Sequence, residues 1–411
     1  MAPANRSLDR FGNASWDARL LGAWLSRQLA AYRWLLLPTA SFLITRLGIV
    51  LVAYLAISLS GGSAGVGAYH LRGTENLFVD VFGSRWDTGF YVSIVEEGYL
   101  YDVEPFPNVA FFPLLPLAMR LLLPLTGDAV TAGILVANLA LWGASILFYL
   151  LVREQWDERI AGRAVWYLLI FPAAFFGSAI YSESLFLLVT VAALLAGRRG
   201  HWWLAGLLGI LATLSRLVGI IVVPLLLFEW ASQWLDRERP QRPAIWTGIF
   251  PLLAPLGTLG YMFYLWRRFA DPFGFATASA AWGRVAQSPW LTVSNLLQTP
   301  AEGWRAAFLA GHLPLNDWID LLFVLLFFSF GIILMSQRRW AEGTFIWLGV
   351  MISFSSGLLM SQRRYMWVLF PAFILLARWG EKVWVDRLVT ALSLLGLGLF
   401  TALFANGYWV G

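Results

Sequence analysis

Apolar runs of about 20 residues, the length a helix needs to cross a bilayer, recur along this chain between short polar stretches. The pattern predicts spans near 34–60, 129–152, 163–180, 184–197, 202–215, 217–235, 245–266, 318–336, 341–359, 366–378 and 388–406. That is eleven crossings, of which 184–197 and 366–378 are short. A β-barrel would show brief alternating segments instead. The expected fold class is therefore an all-α, polytopic integral membrane bundle. Residues 109–125 are apolar but interrupted by Pro113, Pro116 and Pro124. They read as a re-entrant or interfacial piece, tolerated at membrane depth only where protein or a watery cavity satisfies the backbone. No repeat of 20–50 residues is visible.

Charge orients this pattern. Cytoplasmic loops carry an excess of arginine and lysine. Residues 1–33, with Arg6, Arg10, Arg19, Arg27 and Arg33, are expected inside as a cytoplasmic segment. Within it, residues 15–33 suit an amphipathic surface helix, and the whole is too long and mixed for the n-region of a cleavable signal. The loops with Arg153, Arg159 and Arg163, with Arg198 and Arg199, with Arg237, Arg239 and Arg242, with Arg338 and Arg339, and with Arg378, Lys382 and Arg387 then also fall inside. The transmembrane domain, 34–411, is left with two large outer loops. The first, 61–128, opens with a Gly-rich linker at 61–67; the second, 267–317, holds a candidate amphipathic helix near 291–309.

Composition agrees. Charged residues make up 13% and the mean hydropathy is +0.68, against roughly 25% charged in soluble domains. The formal charge is +5 with one lysine, Lys382, and no cysteine. Disulfides, thiolate metal sites and cysteine nucleophiles are excluded. No basic tract points to nucleic acid. His70, His201 and His312 are scattered, so no histidine metal motif is present. No glycine loop of the nucleotide-binding kinds occurs, which favours a lipid-linked donor over a cytosolic one.

The polar residues that stand out at span ends share the outer side. Residues 84–104 gather Asp87, Glu96, Glu97, Asp102 and Glu104 among Trp86, Phe90, Tyr91, Tyr99 and Tyr101. With 85–97 helical, Asp87 and Tyr91 lie on one face, four positions apart. Asp87 could take a proton from an acceptor hydroxyl; the competing reading is a helix N-cap. Glu96 and Glu97 read as a solvated face or as partners for sugar hydroxyls. Glu183, in IYSESLF, is a helix-capping carboxylate or an acceptor for sugar hydroxyls or an arginine. Arg216, in TLSRLVG, falls outside, and so does Arg363-Arg364, in SQRRYMW, a pair that breaks the positive-inside trend. They offer planar forks for phosphate oxygens, or they snorkel to headgroups. Arg46, inside the first span, is expected to face protein or a cavity.

Three segments carry a resemblance. RWDTGFYVSIVEEGY with AFFPLLPLAMRLLLPL is similar to the first outer loop of the PIG-V mannosyltransferase family, FPAAFFGSAIYSESLFLL to a later span pair, and TLSRLVGI to the stretch after it. Together they cover about 84–220; the second half matches in hydropathy only. The resemblance implies a GT-C architecture with interfacial helices in the first outer loop. It implies inverting hexosyl transfer, mannosyl by analogy, from a lipid-phosphate donor to a glycolipid or other hydroxyl, with Asp87 at the centre. Arg85, Trp86, Tyr91, Glu96, Glu97 and Phe112 of the first loop, and Tyr181 and Glu183 of the YSES turn, become candidate substrate-binding residues. Arg216 joins them, while Arg363 and Arg364 are inferred from position alone. The Arg-rich, Cys-free composition points to a bacterial chain, hence to a polyprenyl-phosphate donor, with no metal or other cofactor expected. The rival readings are a lipid-linked-sugar flippase or transporter and an O-antigen-ligase-like oligosaccharide transferase.

Overall fold

The computed structural model describes residues 31–60, 76–102, 106–298, 300 and 302–410. The expected surface helix at 15–33 (all but its last three residues), the Gly-rich linker and Glu104 lie outside them. Among the described residues the regular elements are all helical. Six helical stretches are long and apolar enough to cross a membrane: Arg33–Ser60, Ala129–Gln155, Leu217–Leu235, Ile245–Phe269, Leu315–Ser336 and Val383–Ala405. Each coincides with a predicted span. The other five predicted spans fall on helices of 9 to 16 residues, too short to cross alone at 1.5 Å per residue.

We number the helices used below in chain order. They are α1 (Arg33–Ser60), α2 (Leu77–Gly83), α3 (Thr88–Glu96), α4 (Leu114–Thr126), α5 (Ala129–Gln155), α6 (Glu158–Ile170), α7 (Glu183–Arg198), α8 (Trp202–Ser215), α9 (Val222–Leu235), α10 (Ile249–Leu252), α11 (Leu256–Phe269), α12 (Gly274–Ser279), α13 (Pro289–Leu296), α14 (Trp304–Ala310), α15 (Leu315–Ser336), α16 (Trp340–Phe354), α17 (Gln362–Trp367), α18 (Pro371–Trp379) and α19 (Val383–Ala405). The proline-broken piece forms α4, about 20 Å long and one-sided. Leu115 and Met119 are buried on α5, while Leu121 and Leu125 are exposed. The helix expected near 291–309 is two short ones, α13 and α14.

The break after α6 sets the site. Pro172 has no N–H and pushes the preceding residue out of the helical region. Phe171 is accordingly extended, with ψ 143°, and a 3-10 stretch, Ala174–Ser178, follows. Carbonyls freed in this way need partners inside a membrane protein, and neighbouring elements supply them. Arg46 donates to the Ala174 carbonyl at 2.8 Å and to Leu169 at 3.2 Å. Asn138 donates to Ser178 at 3.2 Å, Ser184 to Gly177 at 3.0 Å and Trp367 to Leu168 at 2.8 Å. Arg46 thus faces protein, as its place in an apolar span requires. Gly177 lets this stretch approach α17: a Cβ there would sit 2.6 Å from the Trp367 ring and 2.7 Å from Leu141. The chain leaves the break at Tyr181, held against Phe176, which itself packs on Phe404 in the main core, and starts α7 at Glu183.

Candidate active site

Asp87 is brought into position by its two neighbours. Arg85 donates to Asp80 at 2.7 Å and to the Phe404 carbonyl at 3.2 Å, and also to Ala405. It therefore staples the first loop to the end of α19. Trp86 sits at φ +59°, a left-handed conformation that costs a bulky residue on the order of 1 kcal/mol, and its ring meets Trp409 edge-on at 5.2 Å. This turn points Asp87 away from α3. The N-cap reading is not realised: Asp87 precedes Thr88 but its side chain makes no capping bond. Instead its carboxylate meets Arg364, 2.8 Å away on α17.

A second strained residue serves the partner. Ser361 sits at φ +75° immediately before α17. The next helical positions separate Arg363 from Arg364, because adjacent side chains on a helix point about 100° apart. Arg364 reaches Asp87 and, through Nε at 3.3 Å, Glu183. Its guanidinium lies 5.1–5.3 Å from the ring centroids of Tyr181, Tyr365, Trp409 and Phe176. Arg363 does not face this site. It is fully buried against Asp320 at 2.8 Å, also bonds Asn316, and lies over the Phe400 ring at 4.4 Å.

Glu183 begins α7, where the helix dipole favours a negative charge. It is 1% exposed and pairs with Arg216 at 2.8 Å. Asp87, Glu183, Arg216 and Arg364 all line one cavity of about 870 Å³. Trp86, Tyr91, Phe112 and Tyr181 line it too. Phe112 is held there by Tyr261 and Phe275 at 5.2 and 5.4 Å. Arg85, Arg363, Glu96 and Glu97 do not line it; the two glutamates are exposed where α3 ends. As a set, the predicted residues divide into those that meet in the cavity and those that brace it or stand apart.

Among the wall residues that sequence reasoning missed are Trp282, Arg284, Tyr365 and Trp409. Tyr365 follows directly on the arginine pair. Arg216, Arg284 and Arg364 lie 5.1, 5.4 and 5.2 Å from its ring centroid. Burial alone would raise the Tyr365 phenol, but Arg284, Arg364 and Arg216 outweigh it and hold the group below its ordinary value. Arg284 had a weak signal, being a cation in an outer loop as Arg363 and Arg364 are, but Arg267, Arg268 and Arg305 share that loop. Among the described residues, three guanidinium groups and two carboxylates face the cavity, a formal balance of +1.

Geometry thus defines a class: a helical membrane protein with a guanidinium-rich, aromatic-walled cavity at one end of its bundle. The chain belongs to the mannosyltransferase (PIG-V) family, whose model matches residues 72–291. It is 36% identical over 157 residues to the GPI alpha-1,6-mannosyltransferase 2 of Cricetulus griseus, covering 35% of this chain and 31% of that protein. The human protein of the same name is 31% identical over 204 residues, covering 46% and 40%. The aligned part therefore spans well under half of those relatives. Among solved structures, the apo oligosaccharyltransferase of Archaeoglobus fulgidus has a TM-score of 0.43 at 13% identity, covering 92% of this chain and 56% of that one. The archaeal oligosaccharyltransferase solved with an inhibitory peptide and a dolichol-phosphate gives 0.40 at 13%, covering 93% and 57%.

Proposed function

We propose that this chain is an inverting membrane glycosyltransferase. It moves a mannosyl or related hexosyl unit from a polyprenyl-phosphate sugar to an acceptor hydroxyl, on a glycolipid or another molecule, at the extracytoplasmic face. The observation that carries this reading is the shared cavity: Asp87 and an excess of guanidinium charge meet in one aromatic-walled space. About 870 Å³ falls within the roughly 300–1,000 Å³ usual for small-molecule sites.

In this reading Arg364 engages one oxygen of Asp87 and fixes the carboxylate, which accepts the acceptor's hydroxyl proton through its other oxygen. The acceptor oxygen attacks the anomeric carbon opposite the lipid phosphate. The bond from that carbon to the phosphate oxygen breaks, and the leaving polyprenyl phosphate takes the electron pair. Arg216 and Arg364 stabilise the charge gathering on it. The sidedness rests on α5, a full-length span whose first turns pack with Tyr91 of the cavity wall and whose last residue, Gln155, accepts hydrogen bonds from Arg198 and Arg339. The arginine-bearing loops lie at that far end, which the positive-inside rule assigns to the cytoplasm.

The test is transfer from radiolabelled polyprenyl-phosphate mannose in proteoliposomes. Wild-type protein is expected to glycosylate an added lipid acceptor. Asp87→Asn should lose about 10²–10⁴-fold of that rate with its unfolding midpoint preserved. Near-full turnover in this variant removes the base assignment. Label that crosses the bilayer without transfer makes the protein a transporter.

A further inference from the structure

Three like charges converge on one tyrosine, and they come from three separate elements. Arg216 lies between α8 and a 3-10 turn, Arg364 on α17, and Arg284 on the loop after the 3-10 turn Ala280–Trp282. Each guanidinium is within 5.4 Å of the Tyr365 ring centroid. Such crowding is unfavourable unless charge of the other sign sits among the groups. Glu183 answers Arg216, and Asp87 with Glu183 answers Arg364. Arg284 has no carboxylate partner among the described residues; its guanidinium donates to the Ser356 hydroxyl at 3.3 Å.

Arg284 is nevertheless held in place. Before it, Trp282 packs on Phe90 and Phe111 at 5.5 and 5.8 Å, and Gly283 makes the turn at φ +72°. After it, Gln287 bonds the Ser355 carbonyl through its backbone and the Gly357 carbonyl through its side chain, both at 3.0 Å. A cation fixed at both flanks and left uncompensated beside two paired ones is a preformed place for an anion.

We propose that Arg284, seated on the Tyr365 ring, completes a single-phosphate subsite with Arg216 and Arg364, and that Tyr365 is its positioning residue. The proposal deepens the transferase reading and rests on it for the identity of the lipid. The charge suits one phosphate group, since the cavity balance of +1 is neutralised by a phosphodiester. Arginine forks suit its oxygens. Leu217 and Val218, directly after Arg216, and Met351 and Ile352 of α16 line the same cavity and supply an apolar path for a chain attached to the phosphate.

Equilibrium binding to the purified full chain in detergent micelles tests this. The probes are a polyprenyl monophosphate, the matching neutral polyprenol, and inorganic phosphate. Wild type should bind the lipid phosphate at least about tenfold more tightly than the alcohol, because hydrogen bonds to a charged group are the stronger ones. Inorganic phosphate should compete weakly; if it binds as well as the lipid phosphate, the subsite serves a free anion and the lipid proposal fails. Arg284→Gln should remove most of the preference for phosphate while leaving polyprenol binding unchanged. Tyr365→Leu should do the same, and Tyr365→Phe, which keeps the ring, should restore wild-type binding. Equal loss of alcohol and phosphate in Arg284→Gln, undiminished phosphate binding in that variant, or a Tyr365→Phe as weak as Tyr365→Leu would each overturn the proposal. Binding is read without turnover. An Asp87→Asn protein with normal transfer therefore sinks the base while leaving this subsite standing.

Discussion

Helix α7 has a buried ion cluster at each end, and the two clusters differ in what they face. At its start, Glu183 joins Arg216, Arg364 and Asp87 beside the cavity. At its end, Arg198 joins Glu229 and Glu342, and Glu342 also holds Arg339 at 2.6 Å. The far cluster pairs two arginines with two glutamates, and Gln155 takes a hydrogen bond from each arginine. It borders no part of the cavity. The near cluster faces a cavity wall that carries one extra cation and is entered through two residues in left-handed backbone. Both clusters use the same residue types at similar burial. What marks a site is the uncompensated charge, the strain and the space together. A buried salt bridge alone is weak evidence of anything beyond cohesion.

The sharpest way to break this contrast is to damage the far end. Glu342→Gln leaves Arg198 and Arg339 without their shared carboxylate. Removing one partner of a buried pair costs about 3–5 kcal/mol. A large fall in the unfolding midpoint is expected, with transfer per folded molecule unchanged. Should the folded fraction instead show a raised KM for donor, the two ends are coupled and the contrast fails.

Damage at the near end should read out the opposite way. Arg364→Lys keeps the charge but loses the fork that spans Asp87 and Glu183. It also loses the planar fit among four aromatic rings. Loss of one well-placed donor to developing charge costs roughly 10²–10³-fold in rate, so kcat should fall by about that much. The stability change should be smaller than for Glu342→Gln. A midpoint loss as large as at the far end, with kcat intact, would make Arg364 a structural residue.

Arg46, in neither cluster, closes carbonyls on both sides of Pro172. Arg46→Leu should destabilise by about 1–3 kcal/mol, the cost of leaving buried acceptors unpaired. Its effect on transfer should follow from a shifted Tyr181 and Glu183, and so be modest. An unchanged midpoint would show that other donors fill the gap.

The long spans and the central residues were legible in sequence because each leaves a local signature. Apolar length reveals a crossing helix. An arginine on the wrong side of a span stands out, and so does an aspartate among aromatics. The split between Arg363 and Arg364 was not legible, since it depends on where α17 begins and on Asp320, 43 positions away. Arg85 looked like a ligand residue because it adjoins Asp87, yet its job is to hold the end of α19, a contact across 319 positions. The short helices α6, α7, α8, α16 and α18 read as full spans because hydropathy windows do not register a proline break or a 3-10 turn. Trp409 carried no signal at all. It is one of 23 tryptophans, and only folding brings it to the Asp87 turn.

Trp409 gives the smallest expected effect and the finest test of which groups hold the near cluster rigid. Its ring meets Trp86 edge-on at 5.2 Å and lies 5.3 Å from the Arg364 guanidinium. An aromatic pair is worth ~0.5–1.5 kcal/mol beyond its buried area. Trp409→Phe should keep most of that and leave transfer nearly unchanged. Trp409→Ala loosens Trp86, whose left-handed backbone aims Asp87, but leaves both carboxylates on Arg364. A drop in kcat of about 2–10-fold is expected, equivalent to ~0.5–1.5 kcal/mol, with donor KM little changed. If Trp409→Ala instead raises donor KM by 10²-fold at constant kcat, the ring is a platform for the sugar itself. The near cluster would then owe its rigidity to ion pairs alone, as the far cluster does.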